Sequence, residues 1–104
     1  MKGTNLGEFE ELILLAVAVF NGDAYGINIA DLIEEQSDRS VTISTVHNAL
    51  YRLEEKGMVS SRLGGATAER GGRKKRLFTI TAEGQVALDH ARDLRNRLYN
   101  LIPS

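Results

Sequence analysis

The chain has 104 residues, of which 42% are hydrophobic and 26% are charged. These values are typical of one globular domain and exclude an intrinsically disordered chain or a fibrous repeat. The lack of cysteine excludes disulfide bonds, thiol catalysis and cysteine-based zinc sites, and the formal net charge of -1 does not by itself indicate a protein that binds polyanions.

The charges are unevenly distributed along the chain. Residues 1–38 contain one basic and eight acidic residues, residues 39–79 contain nine basic and three acidic ones, and residues 80–104 contain three of each. A basic middle third can bind a polyanion on one face of a protein whose other faces stay acidic or neutral. The alternative is that this segment forms only a solvated surface.

The first predicted helix runs from Leu6 to Phe20, with acidic residues in its first turns that complement the helix dipole. Its apolar run has nine residues, whereas a membrane span needs about 20. We therefore expect a cytoplasmic protein with no membrane partner. Because the run is apolar on all sides of the helix, we expect a second subunit to cover part of it, at Leu12, Leu15 and Val19. A central helix in a monomer is the alternative.

Two further helices are predicted next. Helix two ends near Ser37, and its apolar face consists of Ile27, Ala30, Leu32 and Ile33. Helix three begins after Thr42 or Ser44, which are both N-cap candidates, and Gly57 follows its end as a C-cap glycine. Helical spacing predicts that the buried face of helix three consists of Ile43, Val46, Leu50 and Leu53.

Two strands and a long helix complete the chain. The strands cover residues 58–63 and 75–80, and the long loop between them is rich in glycine and basic residues. Thr81 is the N-cap candidate of a final helix from Ala82 to about Leu101. A heptad rhythm along this helix favours a contact between subunits over packing on its own domain, and the residues in that rhythm are Ala87, Ala91, Leu94, Leu98 and Leu101.

This order of elements is that of a winged helix-turn-helix module, a mainly α fold (α+β) with a two-stranded wing. We divide the chain into a DNA-binding domain, residues 1–80, and a C-terminal dimerisation helix, residues 81–104. In such a module the third helix enters the major groove of DNA, and the wing contacts the backbone or the minor groove.

Helix three and the wing carry the candidate DNA-binding side chains. The face of helix three opposite its apolar residues carries polar groups that suit base edges and phosphates, namely Ser44, Thr45, His47, Asn48, Tyr51 and Arg52. The wing adds cations for phosphate contacts, namely Arg70, Arg73, Lys74 and Lys75. A nucleotide phosphate loop is disfavoured, because the glycine-rich segment lacks the Gly-Lys-Ser/Thr end and the helix that would follow it.

Three stretches of the sequence point to a known family: Asp23–Gly26 (DAYG), Leu50–Val59 (LYRLEEKGMV) and Gly72–Gly84 (GRKKRLFTITAEG). Together they resemble the PadR family of bacterial transcriptional regulators, and the likeness extends from about Leu6 to Gly84. The resemblance implies a winged-helix repressor that is homodimeric through its first and C-terminal helices. It also implies release from the operator by a small hydrophobic or aromatic effector. Members often carry tyrosine and proline where this chain has His47 and Asn48, so no operator sequence is carried over.

The leading hypothesis is therefore a homodimer that binds an inverted-repeat operator in double-stranded DNA. The alternative is a winged-helix module that binds a protein instead of DNA. An enzyme is not expected, because His47 and His90 lie on different helices without metal-ligand spacing, and no nucleophile is paired with a base. No catalytic residue, metal or cofactor is predicted.

Overall fold

Four helices and a two-stranded sheet make up the parts of the chain that the computed structural model describes, residues 6–64 and 75–104. The elements in chain order are α1 (Glu8–Phe20), α2 (Gly26–Ser37), α3 (Ile43–Glu55), β1 (Val59–Leu63), β2 (Arg76–Ile80) and α4 (Ala82–Asn100). This is the predicted order, and the predicted boundaries lie within two residues of the observed ones.

Helix α1 lies at the centre of the fold. It packs against α2, α3, α4 and β2, and its buried apolar residues are Ile13, Leu14, Ala16 and Val17. The facing helices contribute Ile29, Ala30 and Ile33 from α2, and Val46, Ala49, Leu50 and Leu53 from α3. Each large apolar side chain removed from water in this way contributes roughly 1.5–3 kcal/mol to folding, so this contact between α1 and the helical pair α2–α3 holds the domain together.

The two strands pair antiparallel, from Val59 opposite Ile80 to Leu63 opposite Arg76. A third segment joins the sheet through an isolated bridge between Ala24 and Phe78, in which the Phe78 N–H donates to the Ala24 carbonyl at 2.8 Å. No pattern in the sequence predicts this bridge. It ties the residues before α2 to the second strand of the wing.

Threonine side chains cap α3 and α4, and two glycines occupy positions near helix ends that disfavour other residues. The Thr42 hydroxyl accepts from the Thr45 N–H at 3.1 Å, and the Thr81 hydroxyl accepts from the Gly84 N–H at 3.0 Å. Both caps are predicted ones. Gly57 follows α3 with a φ of +78°, a conformation that favours glycine. Gly84 lies so close to the Met58 carbonyl that a Cβ at this position would clash with it.

Two residues predicted in apolar faces are instead exposed. Ile43 is 38% exposed and Ile27 is 36% exposed. Both belong to the first turn of a helix, where the packing partners of the later turns no longer cover the side chain. Ala49 and Ile29, which the sequence analysis does not select, are buried instead.

Helix α4 has a buried start and an exposed end. Gly84, Ala87 and Leu88 are buried against the rest of the domain, whereas residues 92–104 are exposed. Ala87 is predicted to contact a second subunit, but it packs in the core of its own chain. An ion pair fixes the middle of the helix, with Arg95 donating to Glu11 on α1 at 2.6 and 3.3 Å.

Candidate nucleic-acid interface

The predicted groove-reading face of α3 is largely open to solvent. Ser44, Thr45, Asn48, Tyr51 and Arg52 are exposed, while Val46, Ala49, Leu50 and Leu53 bury the opposite side of the helix. At the start of α3 the Thr42 and Thr45 hydroxyls lie 2.7 Å apart. The exposed polar side chains thus form a continuous stripe from the N-terminal end of α3 onwards, where a recognition helix contacts base edges.

His47 departs from this pattern because it is half-buried against α2. Its ring lies over Gly26, where a Cβ would come within 2.5 Å of His47 Nε2. The ring centroids of His47 and Tyr51 are 6.1 Å apart. Gly26 therefore makes room for the imidazole, and His47 joins the start of α2 to the exposed face of α3.

A buried carboxylate supports α3 from the side of α1. The Glu10 side chain is 11% exposed, and it pairs with Arg52 Nε at 3.2 Å and Lys56 Nζ at 2.7 Å. It also accepts from the Gly7 N–H at 3.3 Å. Burial raises the pKa of Glu10, but the hydrogen bonds from Lys56, Gly7 and Arg52 outweigh this effect and leave the pKa below its ordinary value. Glu10 is therefore a paired anion in the folded protein.

The wing is connected to α3 by a chain of hydrogen bonds. Arg76 on β2 donates to the Ser61 hydroxyl at 2.9 Å, and Ser61 on β1 donates to the Glu54 carboxylate at 2.8 Å. These bonds hold the sheet against the C-terminal end of α3.

The base of the wing also contacts the start of α2. Lys75 Nζ lies 4.0 Å from the centroid of the Tyr25 ring, a distance typical of a cation–π interaction. Gly26 follows Tyr25, and the His47 ring of α3 packs on Gly26. Lys75 and the exposed face of α3 therefore border the same part of the surface. Of the predicted wing cations, Arg70, Arg73 and Lys74 lie outside the described residues.

Two residues of this site are missed by the sequence analysis, Glu10 and Tyr25. Glu10 was available from the pattern, because it is aligned with Ile13, Leu14 and Val17 at spacings of three, four and seven, which places it on the buried face of α1. Tyr25 carries no comparable signal, since its contact with Lys75 joins residues 50 positions apart.

The residues predicted to meet a second subunit flank the contact between α1 and α4. On one side, Leu15 and Val19 line a groove of about 480 Å³ together with Leu88. On the other side, Leu94 and Leu98 line a groove of about 380 Å³ together with Leu6 and Ala91. Leu101 is exposed beyond both, whereas Leu12 and Ala91 are half-buried.

Residues 6–64 and 75–104 contain no group of histidine, aspartate and glutamate side chains placed to hold a metal ion. None of the helices in these same ranges is long and apolar enough to span a membrane.

Residues 14–90 match the PadR-like family of transcriptional regulators. No curated protein sequence matches the chain significantly.

Solved structures of transcription regulators are similar to this one. A PadR family regulator from Clostridium difficile is 24% identical with a TM-score of 0.77, over 91% of this chain and 94% of that one. A PadR-like transcription factor from Bacteroides fragilis is 21% identical with a TM-score of 0.75, over 88% and 84%. PadR of Bacillus subtilis, solved in complex with operator DNA, is 20% identical with a TM-score of 0.67, over 80% of this chain and 45% of that one. These similarities confirm the predicted winged-helix fold.

Proposed function

Because the chain belongs to the PadR-like family of transcriptional regulators, we propose that it is a sequence-specific repressor that occupies its operator as a homodimer. This family consists of transcription regulators and not of enzymes, in agreement with the sequence analysis. We place the protein in the cytoplasm, where bacterial DNA is found.

The observation that carries the proposal is the polar stripe of α3, which stays exposed while Val46, Ala49, Leu50 and Leu53 on the opposite side of the helix are buried. In our proposal Ser44 and Asn48 read base edges, because they lie on the outermost part of the helix, and an asparagine amide can bond adenine with both its groups. Thr45, Tyr51 and Arg52, the other members of the stripe, contact phosphates. His47, which packs on Gly26, contacts the DNA from the side of α3 that faces α2.

The wing provides the second part of the proposed interface. Arg70, Arg73, Lys74 and Lys75 would contact the sugar–phosphate backbone next to the groove that α3 enters. The hydrogen bonds through Ser61 support this assignment, since they join the wing to the C-terminal end of α3. The operator-bound Bacillus subtilis relative supports DNA as the partner.

Dimerisation is proposed through α1 and α4, with residues 1–80 as the DNA-binding domain and residues 81–104 as the dimerisation helix. Large apolar side chains that the described chain leaves exposed support this, among them Leu15 at 45%, Val19 at 65% and Leu98 at 57% exposure. Two recognition helices about 34 Å apart would read an inverted repeat with half-sites one helical turn apart.

A small hydrophobic or aromatic effector is proposed to bind in a cavity that α1 and α4 enclose between the two subunits, and to release the operator. The apolar lining of the groove at Leu15, Val19 and Leu88 supports this class of ligand. Thermal shift against a panel of planar aromatic compounds tests the assignment. Stabilisation by some of the panel supports it, and no stabilisation by any compound would indicate a regulator without an effector.

Fluorescence anisotropy with labelled duplexes from the promoter of the protein's own operon tests DNA binding. We expect a specific complex whose affinity falls steeply with salt, because lysine and arginine contacts release counterions from DNA. A scrambled duplex of equal length is the control. Equal affinity for both duplexes, or no binding at low salt, would contradict the proposal and would favour the protein-binding alternative.

A further inference from the structure

Glu10 stands apart from the other acidic residues of the described chain, because it is the one charged residue there that is buried. A carboxylate is costly to bury unless it is paired. Its two ion-pair partners are Arg52, in the last turn of α3, and Lys56, the C-cap residue directly after that helix. The neighbouring Glu8 and Glu11 pair with other residues, Arg39 and Arg95 respectively.

The contact with Arg52 has a specific geometry. Glu10 Oε2 binds Arg52 through Nε, and a guanidinium is planar, with all five of its N–H donors in one fixed plane. Holding the Nε edge therefore sets the orientation of the whole group. The arginine side chain nevertheless stays 57% exposed, and it lies one turn after Asn48 on the polar side of α3.

The two cations do not share the Glu10 carboxylate equally. Lys56 is the closer partner, at 2.7 Å compared with 3.2 Å for Arg52. The carboxylate thus orients Arg52 through the longer of its two contacts, and the Arg52 side chain stays accessible to a second anion because it is 57% exposed.

We propose that Glu10 is a positioning residue for DNA binding, whose carboxylate holds the Arg52 guanidinium in the orientation in which it contacts a DNA phosphate. This inference rests on the proposed DNA-binding function. It makes a prediction opposite in sign to simple electrostatics, since removing a negative charge from a DNA-binding surface ordinarily strengthens binding.

The test compares operator affinity and its salt dependence for the full chain and for Glu10→Gln. Glu8→Gln is the matched control, since it removes the same charge from the same turn of α1 but from an exposed pair. We expect Glu10→Gln to weaken operator binding by about tenfold, the size of one oriented charged hydrogen bond. We also expect it to lower the salt slope by about 1, as loss of one phosphate contact does. Glu8→Gln should bind as well as the wild-type chain or better.

Arg52→Gln and the double variant complete a thermodynamic cycle. If Glu10 acts through Arg52, then Glu10→Gln costs no further affinity when Arg52 is already glutamine. Circular dichroism checks that each variant is folded. If Glu10→Gln does not fold, Glu10→Asp replaces it, because aspartate keeps the charge but withdraws the carboxylate from Arg52, and the same loss of affinity is expected.

The outcomes separate this inference from the function on which it rests. If the wild-type chain binds no duplex, the proposed function fails and this inference fails with it. If the wild-type chain binds its operator, while folded Glu10→Gln binds equally or more tightly, only the positioning role is wrong. The positioning role is also wrong if Glu10→Gln lowers operator affinity equally in the wild-type chain and in Arg52→Gln, because Glu10 would then not act through Arg52.

Discussion

The imidazole of His47 lies against the Cα of Gly26, so closely that a Cβ at residue 26 would come within 2.5 Å of His47 Nε2. This contact joins two segments that the sequence analysis considers separately, the DAYG stretch and the polar face of α3. The absence of a side chain at position 26 is thus what allows the imidazole to lie between α2 and α3.

Gly26→Ala should displace the His47 ring and weaken operator binding, while destabilising the fold by only about 1 kcal/mol, since the clash involves the far end of a movable side chain. Urea denaturation and anisotropy measure the two effects. The double variant Gly26→Ala, His47→Ala removes the clash and should recover the lost stability. No recovery would show that the methyl group meets something other than the imidazole.

Gly84→Ala should be far more damaging, because the added methyl group meets the Met58 backbone carbonyl, which cannot rotate away. We expect a loss of about 3 kcal/mol or more in the free energy of unfolding, measured by urea denaturation. Gly7→Ala is the control, since a Cβ there has nothing within 4 Å. Similar losses in both variants would contradict the proposed close approach of α4 to Met58.

The contribution of Glu10 to stability should depend on pH. Because its pKa is lower in the folded chain than the ordinary value of 4.5, the unfolded chain takes up a proton first as the pH falls. The stabilisation is therefore fully present above the unfolded pKa and is lost as the pH falls through the folded one. The difference in unfolding free energy between wild type and Glu10→Gln should shrink from pH 7 towards pH 3. A constant difference would indicate that ionisation of Glu10 does not contribute.

Leu98→Glu should weaken the proposed dimer without unfolding the domain, because Leu98 is exposed in the single chain. We expect the dimer dissociation constant to rise by at least about tenfold, as burying a carboxylate in an apolar contact is costly. Sedimentation velocity measures it. Asn100→Glu, an exposed position on the opposite side of α4, is the control and should dimerise normally. Dissociation of both variants would indicate a general charge effect.

Asn48→Ala and Arg73→Ala should affect DNA binding differently. The first removes a base-reading amide and should change the preferred base at one operator position. The second removes a proposed phosphate contact and should weaken binding to all duplexes alike, with a salt slope lower by about 1. Anisotropy on a panel of operator variants distinguishes them. If both variants show the same pattern, the proposed division between helix and wing is wrong.

Local sequence patterns predict the order of elements, their approximate boundaries, the caps at Thr42 and Thr81, and most of the exposed polar face of α3. These features depend on residues within a turn or two of one another, so apolar spacing and local hydrogen bonding are enough to predict them. The motifs also carried the family resemblance that the match over residues 14–90 confirmed.

The packing of the elements against one another determines which apolar residues are covered and which distant residues meet. It exposed Ile43, buried Ala87 in its own domain, and paired Phe78 with Ala24. It also brought Glu10 to Arg52, 42 positions later in the chain. Such contacts follow from how the helices and strands pack against one another, and the periodicity of a single segment contains no information about the partner that lies opposite it.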